Sequence, residues 1–254
     1  MQFLKTIGHE KQKQLFERVV KNGRLGHAYA LVGEQGIGKT AFALELALIL
    51  GADPVLDVFM LGQEGQIGVE EARSLQSVLA LSPVGKYKAA IINADALGVE
   101  AANAFLKTLE EPPAHSLLFL ITSNFYSLLP TIASRVQKIV FSIADDETVK
   151  TALARFDLDD SSREEIASFA AGRIGIAVRL AGDEQFFEFT RSCVAYYEAF
   201  ALPSATDRLK TAEKVASLET PQIKYFLNSS LRSFAREPKS LELGRKLGTA
   251  LNDL

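Results

Sequence analysis

The chain has 254 residues, 48% of them hydrophobic and 23% charged, so it can bury a real core and is no disordered tail. A formal net charge of −3 excludes the basic excess of proteins that grip a phosphate backbone unaided, and any role at DNA is expected to run through an assembly. The single cysteine, Cys193, excludes an intrachain disulfide and a multi-cysteine zinc module.

Up to about residue 142, short β-rich runs alternate with helical patterns. The first strand reads as Tyr29–Val32 and leads into Gly33-Glu34-Gln35-Gly36-Ile37-Gly38-Lys39-Thr40, a full match to G-x-x-x-x-G-K-[ST]. A helical run, Ala41–Leu50, follows. Strand, loop and helix in that order make a phosphate cradle. The glycines let backbone N–H groups curl around the β-phosphate, and the helix N-terminus adds positive dipole. Lys39 neutralises the β/γ-phosphates, and the Thr40 hydroxyl can ligate Mg²⁺. The bland alternatives are a chance match and a relic loop that no longer takes nucleotide.

Further strands are expected at Asp57–Leu61, Ala89–Asn93, Leu117–Thr122 and Lys138–Phe141, each apolar as in a parallel sheet buried on both faces. Between them, Val69, Ala72, Leu75, Gln76 and Leu79 share one face of a helix ended by Pro83. Val99, Ala102, Phe105, Leu106 and Leu109 form a second stripe, closed by Pro112-Pro113. Strands joined by helices of this length imply right-handed crossovers and a three-layer α/β domain over residues 1–142.

After Phe141 the strand pattern stops. Residues 143–185 read as a small, acidic helical unit, with Asp157–Asp160 as a loop or cap between two short helices. Residues 186–254 read as longer helices jointed at Pro203 and Pro221, with Ile223, Phe226, Leu227, Leu231 and Phe234 on one face. The longest apolar runs fall far short of a membrane span, and the N-terminal residues lack a signal-peptide pattern. The expected location is the cytoplasm, with no membrane partner.

Hydrolysis of ATP on such a loop needs an acidic residue at the tip of a neighbouring strand to hold Mg²⁺. In AAA+ proteins a second one follows directly and polarises the attacking water. The strand concerned ends in Ile91-Ile92-Asn93-Ala94-Asp95. Asn93 brings no charge and Ala94 no base, a loss worth roughly 10²–10⁴ in rate for the base alone. Asp95 is the one residue that could rescue the site if the turn is a residue shorter than usual.

His27-Ala28-Tyr29-Ala30-Leu31, Gly33–Thr40, the run Ala101-Ala102-Asn103-Ala104-Phe105-Leu106-Lys107-Thr108-Leu109-Glu110-Glu111-Pro112-Pro113 and Leu128-Leu129-Pro130-Thr131-Ile132-Ala133-Ser134-Arg135 resemble the clamp-loader ATPase family of bacteria. The resemblance covers residues 1–142 in order and spacing. It implies an AAA+ P-loop domain with a parallel five-stranded sheet, then a helical lid (143–185) and a helical, collar-type C-terminal domain (186–254). Within the family, a lost acidic pair beside an intact Ser-Arg looks like the subunit that does not hydrolyse ATP. The alternative is an active ATPase with Asp95 as its Mg²⁺ acid.

The resemblance further implies that Arg135, with Ser134 before it, reaches across a subunit interface to the γ-phosphate of a neighbour's ATP; Val136 replaces the family's cysteine. Without the resemblance, Arg135 would read as a surface ion pair. Thr122 falls where the family senses the γ-phosphate, or is simply a strand-end hydroxyl. The motor subunits' second-sensor arginine falls on Gly175, with Arg173 or Arg179 as substitutes, and His9 and His27 would flank the adenine side. Implied cofactors are ATP or ADP with Mg²⁺ and no zinc, since Gly51-Ala52-Asp53-Pro54 bridges the place of the family's zinc insertion. Implied partners are the motor ATPase subunits, a delta-type accessory subunit, the sliding clamp and primed DNA. Cys193 reads as a buried small hydrophobe, and Glu110-Glu111 at a helix C-terminus are in mild conflict with its dipole.

Overall fold

A computed structural model describes residues 1–63, 65–201, 211, 214–216, 218–219, 222–223 and 225–227. The readings made for Pro203, Pro221, Leu231 and Phe234 lie outside these residues. The chain divides into two compact units, residues 1–178 and 179–254.

The first unit is built on five parallel strands, β1 (Ala28–Val32), β2 (Val58–Leu61), β3 (Lys88–Asn93), β4 (Ser116–Thr122) and β5 (Gln137–Val140), in the order β2-β3-β4-β1-β5. All five expected strands are present, with ends shifted by a residue. Their side chains alternate between two apolar layers, as the pleat requires. Ala28, Ala30, Val32, Ala90, Ile92, Leu118 and Leu120 face α3 (Val69–Leu79), α4 (Val99–Ala104) and α5 (Leu106–Glu110) through Leu75, Leu79, Phe105 and Leu109. Tyr29, Leu31, Ala89, Ile91, Leu117 and Phe119 face α1 (Glu10–Lys21) and α2 (Lys39–Ile49) through Phe16, Phe42 and Leu46. Three layers with crossover helices are the α/β architecture of the AAA+ P-loop fold.

One expected helix is divided. The stripe from Val99 to Leu109 forms α4 and α5, with Phe105 between them. The Gln76 amide donates across from α3 to the Ala104 carbonyl and the Thr108 hydroxyl at this joint, an inserted polar group of the kind that interrupts a helix ladder. The short helix α6 (Pro130–Ala133) starts on proline, whose missing N–H costs nothing at a first turn.

Beyond β5, α7 (Asp146–Leu153) and α8 (Asp160–Ala170) begin on aspartate caps: Asp145 accepts from Thr148 N at 2.8 Å and Asp159 from Ser162 N at 2.7 Å. The acidic cluster before α8 is therefore a loop and cap, as its composition implies. Helices α9 (Ile174–Gly182) and α10 (Glu184–Ala201) follow. In the second unit Cys193, Phe226 and Leu227 are buried together, and burial pushes the Cys193 thiol up to about 12. No helix among the described residues is long and apolar enough to cross a membrane.

Candidate functional site

The carboxyl ends of β1, β3 and β4 converge where a parallel α/β sheet binds ligands. From β1 the chain enters the Gly33–Thr40 loop, fastened by Gly33 N–H to the Thr122 carbonyl at 3.1 Å, and α2 starts at Lys39. The Lys39 ammonium is buried and donates to the carbonyls of Gly33 at 2.5 Å and Glu34 at 2.7 Å. Burial pulls its pKa down to about 8, while the carboxylates of Asp95 and Glu34 act in the opposite direction. The loop thus holds its cation over its own carbonyls, ready to exchange them for phosphate oxygens. Glu34 and Gln35 are exposed, and Thr40 is partly accessible beside them.

The N-terminus of α9 is packed on this loop. The Ile176 N–H donates to the Gly36 carbonyl at 3.1 Å. Gly36 has φ +83°, and a Cβ there would stand 2.5 Å from Ile176 Cγ1. At Gly175 a Cβ would stand 2.7 Å from the Gly36 oxygen. The position that the resemblance assigns to a second-sensor arginine therefore has no room for a side chain in this arrangement. Of the suggested substitutes, Arg173 is buried and donates to the Ala170 and Phe169 carbonyls at the end of α8. Arg179 stacks 3.8 Å from the centre of the Phe186 ring and lies 4.0 Å from Asp183.

At the sheet tips Asn93 and Asp95 are both engaged in hydrogen bonds. The Asn93 amide donates to the Gly62 carbonyl at 3.0 Å, so it is tied to the end of β2. Ala94 is buried. Asp95 accepts from the Thr122 hydroxyl at 2.5 Å, from Ser123 N–H at 2.9 Å and from the Ser123 hydroxyl at 2.7 Å. Both carboxylate oxygens are thereby engaged by β4 and the residue after it. Thr122, fully buried, also accepts from Asn124 N–H at 3.1 Å, which makes it a strut between two strand tips. The loop fits a nucleotide phosphate, but the Mg²⁺ set offers only Thr40 without rearrangement of Asp95.

The two histidines part company. The His9 Nε2 stands 2.7 Å from the Ile37 carbonyl in the loop. Burial lowers its pKa, and Lys13 and Lys39 lower it further against the Ile37 bond and Glu10, so at neutral pH Nε2 carries the proton and donates. His27 sits before β1, at the opposite end of the strand from the loop, with Nε2 3.2 Å from the Leu109 carbonyl. Its expected place beside adenine is wrong, because in a parallel sheet the two ends of a strand belong to opposite rims.

Arg135 lies on that same far rim. Gln137 pairs with Tyr29 at the start of β1, so Arg135 is level with residue 27, six residues down from Gly33. At roughly 3.3 Å per residue this separates it from its own phosphate loop by about 20 Å, beyond the reach of an arginine side chain. Arg135 Nη2 donates to Glu110 Oε1 at 2.7 Å, and Nη1 donates to the Thr131 carbonyl at 2.9 Å and Ser134 Oγ at 3.2 Å. Among the described residues no group of three or more His, Cys, Asp or Glu side chains could hold a metal ion.

Residues that sequence reasoning left aside also matter. Glu45, in the middle of α2, is buried and accepts the N–H groups of Leu4 at 2.5 Å, Lys5 at 2.7 Å and Thr6 at 2.6 Å. It fastens the segment that carries His9 to the loop. Its only signal was a charge interrupting an apolar helix. Asp57, fully buried, accepts from Val84 N at 2.9 Å, Gly85 N at 2.6 Å and Asp53 N at 3.2 Å. It closes the short bridge after α2.

Comparison with known proteins bears on the family and the fold. The sequence profile of the family described as "DNA polymerase III, delta subunit" matches residues 52–145. The chain is 28% identical over 208 residues to the delta' subunit of DNA polymerase III of Bacillus subtilis, covering 73% of this chain and 63% of that one. It is 24% identical over 249 residues to the tau subunit of Bacillus subtilis, covering 87% and 44%. It is 32% identical over 206 residues to the gamma subunit of Buchnera aphidicola, covering 70% and 57%. The chain therefore spans between 44% and 63% of the length of these three relatives. Among solved structures, a gamma-subunit-related protein of Thermotoga maritima superposes with a TM-score of 0.66 at 20% identity, covering 95% of this chain and 92% of that one. The Holliday junction branch migration motor RuvB of Thermotoga maritima superposes with a TM-score of 0.51 at 18% identity, covering 93% and 85%. At these identities the two structures establish the fold.

Proposed function

We propose that this chain, a relative of the clamp-loader subunits of DNA polymerase III, acts as a non-hydrolysing or weakly hydrolysing member of such an assembly, in the manner of delta prime. Its part is to offer Arg135 to the ATP of a neighbouring subunit while the assembly places a sliding clamp on primed DNA. The observation that carries this reading is the position of Arg135. It is half-exposed, hydrogen-bonded into place and on the rim away from its own phosphate loop, too far to serve a nucleotide held there, and this supports a role toward a neighbour's phosphate. The engaged state of Asn93 and Asp95 supports weak hydrolysis by the chain's own site. Gly33–Thr40 would then hold ATP or ADP as a structural ligand.

In this reading the partners are motor ATPase subunits and a delta-type accessory subunit, and the setting is the cytoplasm. Residues 143–185 act as the lid and residues 186–254 as the domain that holds the assembly together. The test is ATP turnover by the motor subunit with accessory subunit, clamp and primed DNA present. It is run without this chain, with it, and with Arg135→Ala. Stimulation by the wild type that the variant loses while still assembling supports the reading; an arginine finger of this class is worth on the order of 10³–10⁵ at its own site. Equal turnover with and without the chain, in an assembled complex, refutes it.

A second reading, an ATPase in its own right with Asp95 as the Mg²⁺ acid, is favoured by one observation. The Asp95 carboxylate favours the charged form of the Lys39 ammonium. That reading requires turnover by the isolated chain that Lys39→Ala abolishes.

A further inference from the structure

We propose that Glu110 is the positioning residue for Arg135, holding the guanidinium ready on the rim before a partner's phosphate arrives. The inference rests on the reading of Arg135 as a residue acting in trans. Arg135 is anchored from two elements: Glu110 Oε1 at the end of α5 takes Nη2 at 2.7 Å, and α6 takes Nη1 through the Thr131 carbonyl at 2.9 Å. Ser134 Oγ donates to that carbonyl at 3.1 Å and accepts from Nη1 at 3.2 Å, which makes Ser134 a brace. These bonds use three of the five N–H donors of a guanidinium, leaving donors for a phosphate oxygen.

Glu110 is otherwise poorly placed. It ends α5, with Glu111 next to it, where the exposed carbonyls of the helix end disfavour a carboxylate. The Arg135 charge is what suits a glutamate to that position. Both side chains remain accessible, 35% for Arg135 and 51% for Glu110, so a partner can reach the pair without unfolding this rim. A free arginine samples many rotamers; one tied at both terminal nitrogens has given up that freedom before the encounter, which is the gain from preorganisation.

The test uses the full assembly of motor subunit, accessory subunit, clamp and primed DNA. ATP turnover is measured against ATP concentration with the wild type, Glu110→Gln, Glu110→Asp, Arg135→Ala and the Glu110→Gln/Arg135→Ala double variant. Glu110→Gln should lower the kcat supplied by this chain about three- to fivefold, the size expected for losing a half-exposed ion pair. KM and the amount of assembled complex should not change. Glu110→Asp should recover part of the loss, and the double variant should be no slower than Arg135→Ala. A wild-type or raised rate for Glu110→Gln, or a further loss in the double variant, overturns the proposal while leaving Arg135 in its role. No effect of Arg135→Ala overturns both.

Discussion

Replacing Glu45 by glutamine should uncouple the N-terminal segment from the phosphate-loop helix. The carboxylate is 8% exposed and accepts three backbone N–H groups, two on Oε1 and one on Oε2. Glutamine keeps the shape but turns one oxygen into an NH₂ group, which then faces an N–H it cannot accept. A buried unsatisfied donor costs about 1–3 kcal/mol, and the remaining bonds lose their charge assistance, so the total should be about 2–4 kcal/mol. The pH dependence has a definite sign. Burial pushes the Glu45 carboxyl up, but the Thr6 hydroxyl beside it and the N–H groups of Lys5, Thr6 and Leu4 outweigh this and leave it below the ordinary value. A carboxyl lowered in the folded state contributes its full stability above the unfolded pKa, near 4.3, and loses it as pH falls through the folded pKa. Urea unfolding of wild type and Glu45→Gln should therefore show a constant gap from about pH 7 to 5 that narrows below about pH 4. Equal midpoints at pH 7, or a gap that widens in acid, would refute the reasoning.

Gly85→Ala should destabilise the first unit by about 3 kcal/mol or more, because a Cβ would stand 2.1 Å from the Gly51 carbonyl; a thermal melt checks this. Gly175→Arg, which restores the motor-type residue, should lower the melting temperature and give no ATP turnover, since even its Cβ would press on the Gly36 oxygen. A stable, hydrolysing variant would show that the α9 contact is not built as described. The His9 imidazole should titrate below 6.5 by NMR, because burial opposes its charge. A histidine lowered in the folded state costs stability as pH falls through the unfolded pKa, so His9→Gln should flatten the stability profile just below pH 6.5.

The match to G-x-x-x-x-G-K-[ST] and the β-rich runs around it were sufficient to place the loop, the strands and the three layers. Such features are set by residues close in sequence, whose pattern fixes backbone conformation and the face turned to the core. Helix α1 went unread, although Phe16 lies at its centre and is buried. The break at Phe105 could not be seen either, because the Gln76 side chain that marks it comes from another helix.

Local pattern alone raised the right questions about Asn93, Asp95 and Arg135 and could not answer them. Asp95 meets Thr122 and Ser123 across 27 and 28 residues, and Arg135 meets Glu110 across 25. The crossovers of the sheet decide those meetings. The sequence by itself determined that a phosphate loop exists and that Asn93 and Ala94 stand where an acidic pair would be expected. Only the tertiary structure decided that Asp95 is held by β4, that Gly175 lies against the loop and that Arg135 and His27 stand on the far rim. The physical reason is that strand order and strand direction assign each end of each segment to a rim, and no stretch of local sequence carries that information.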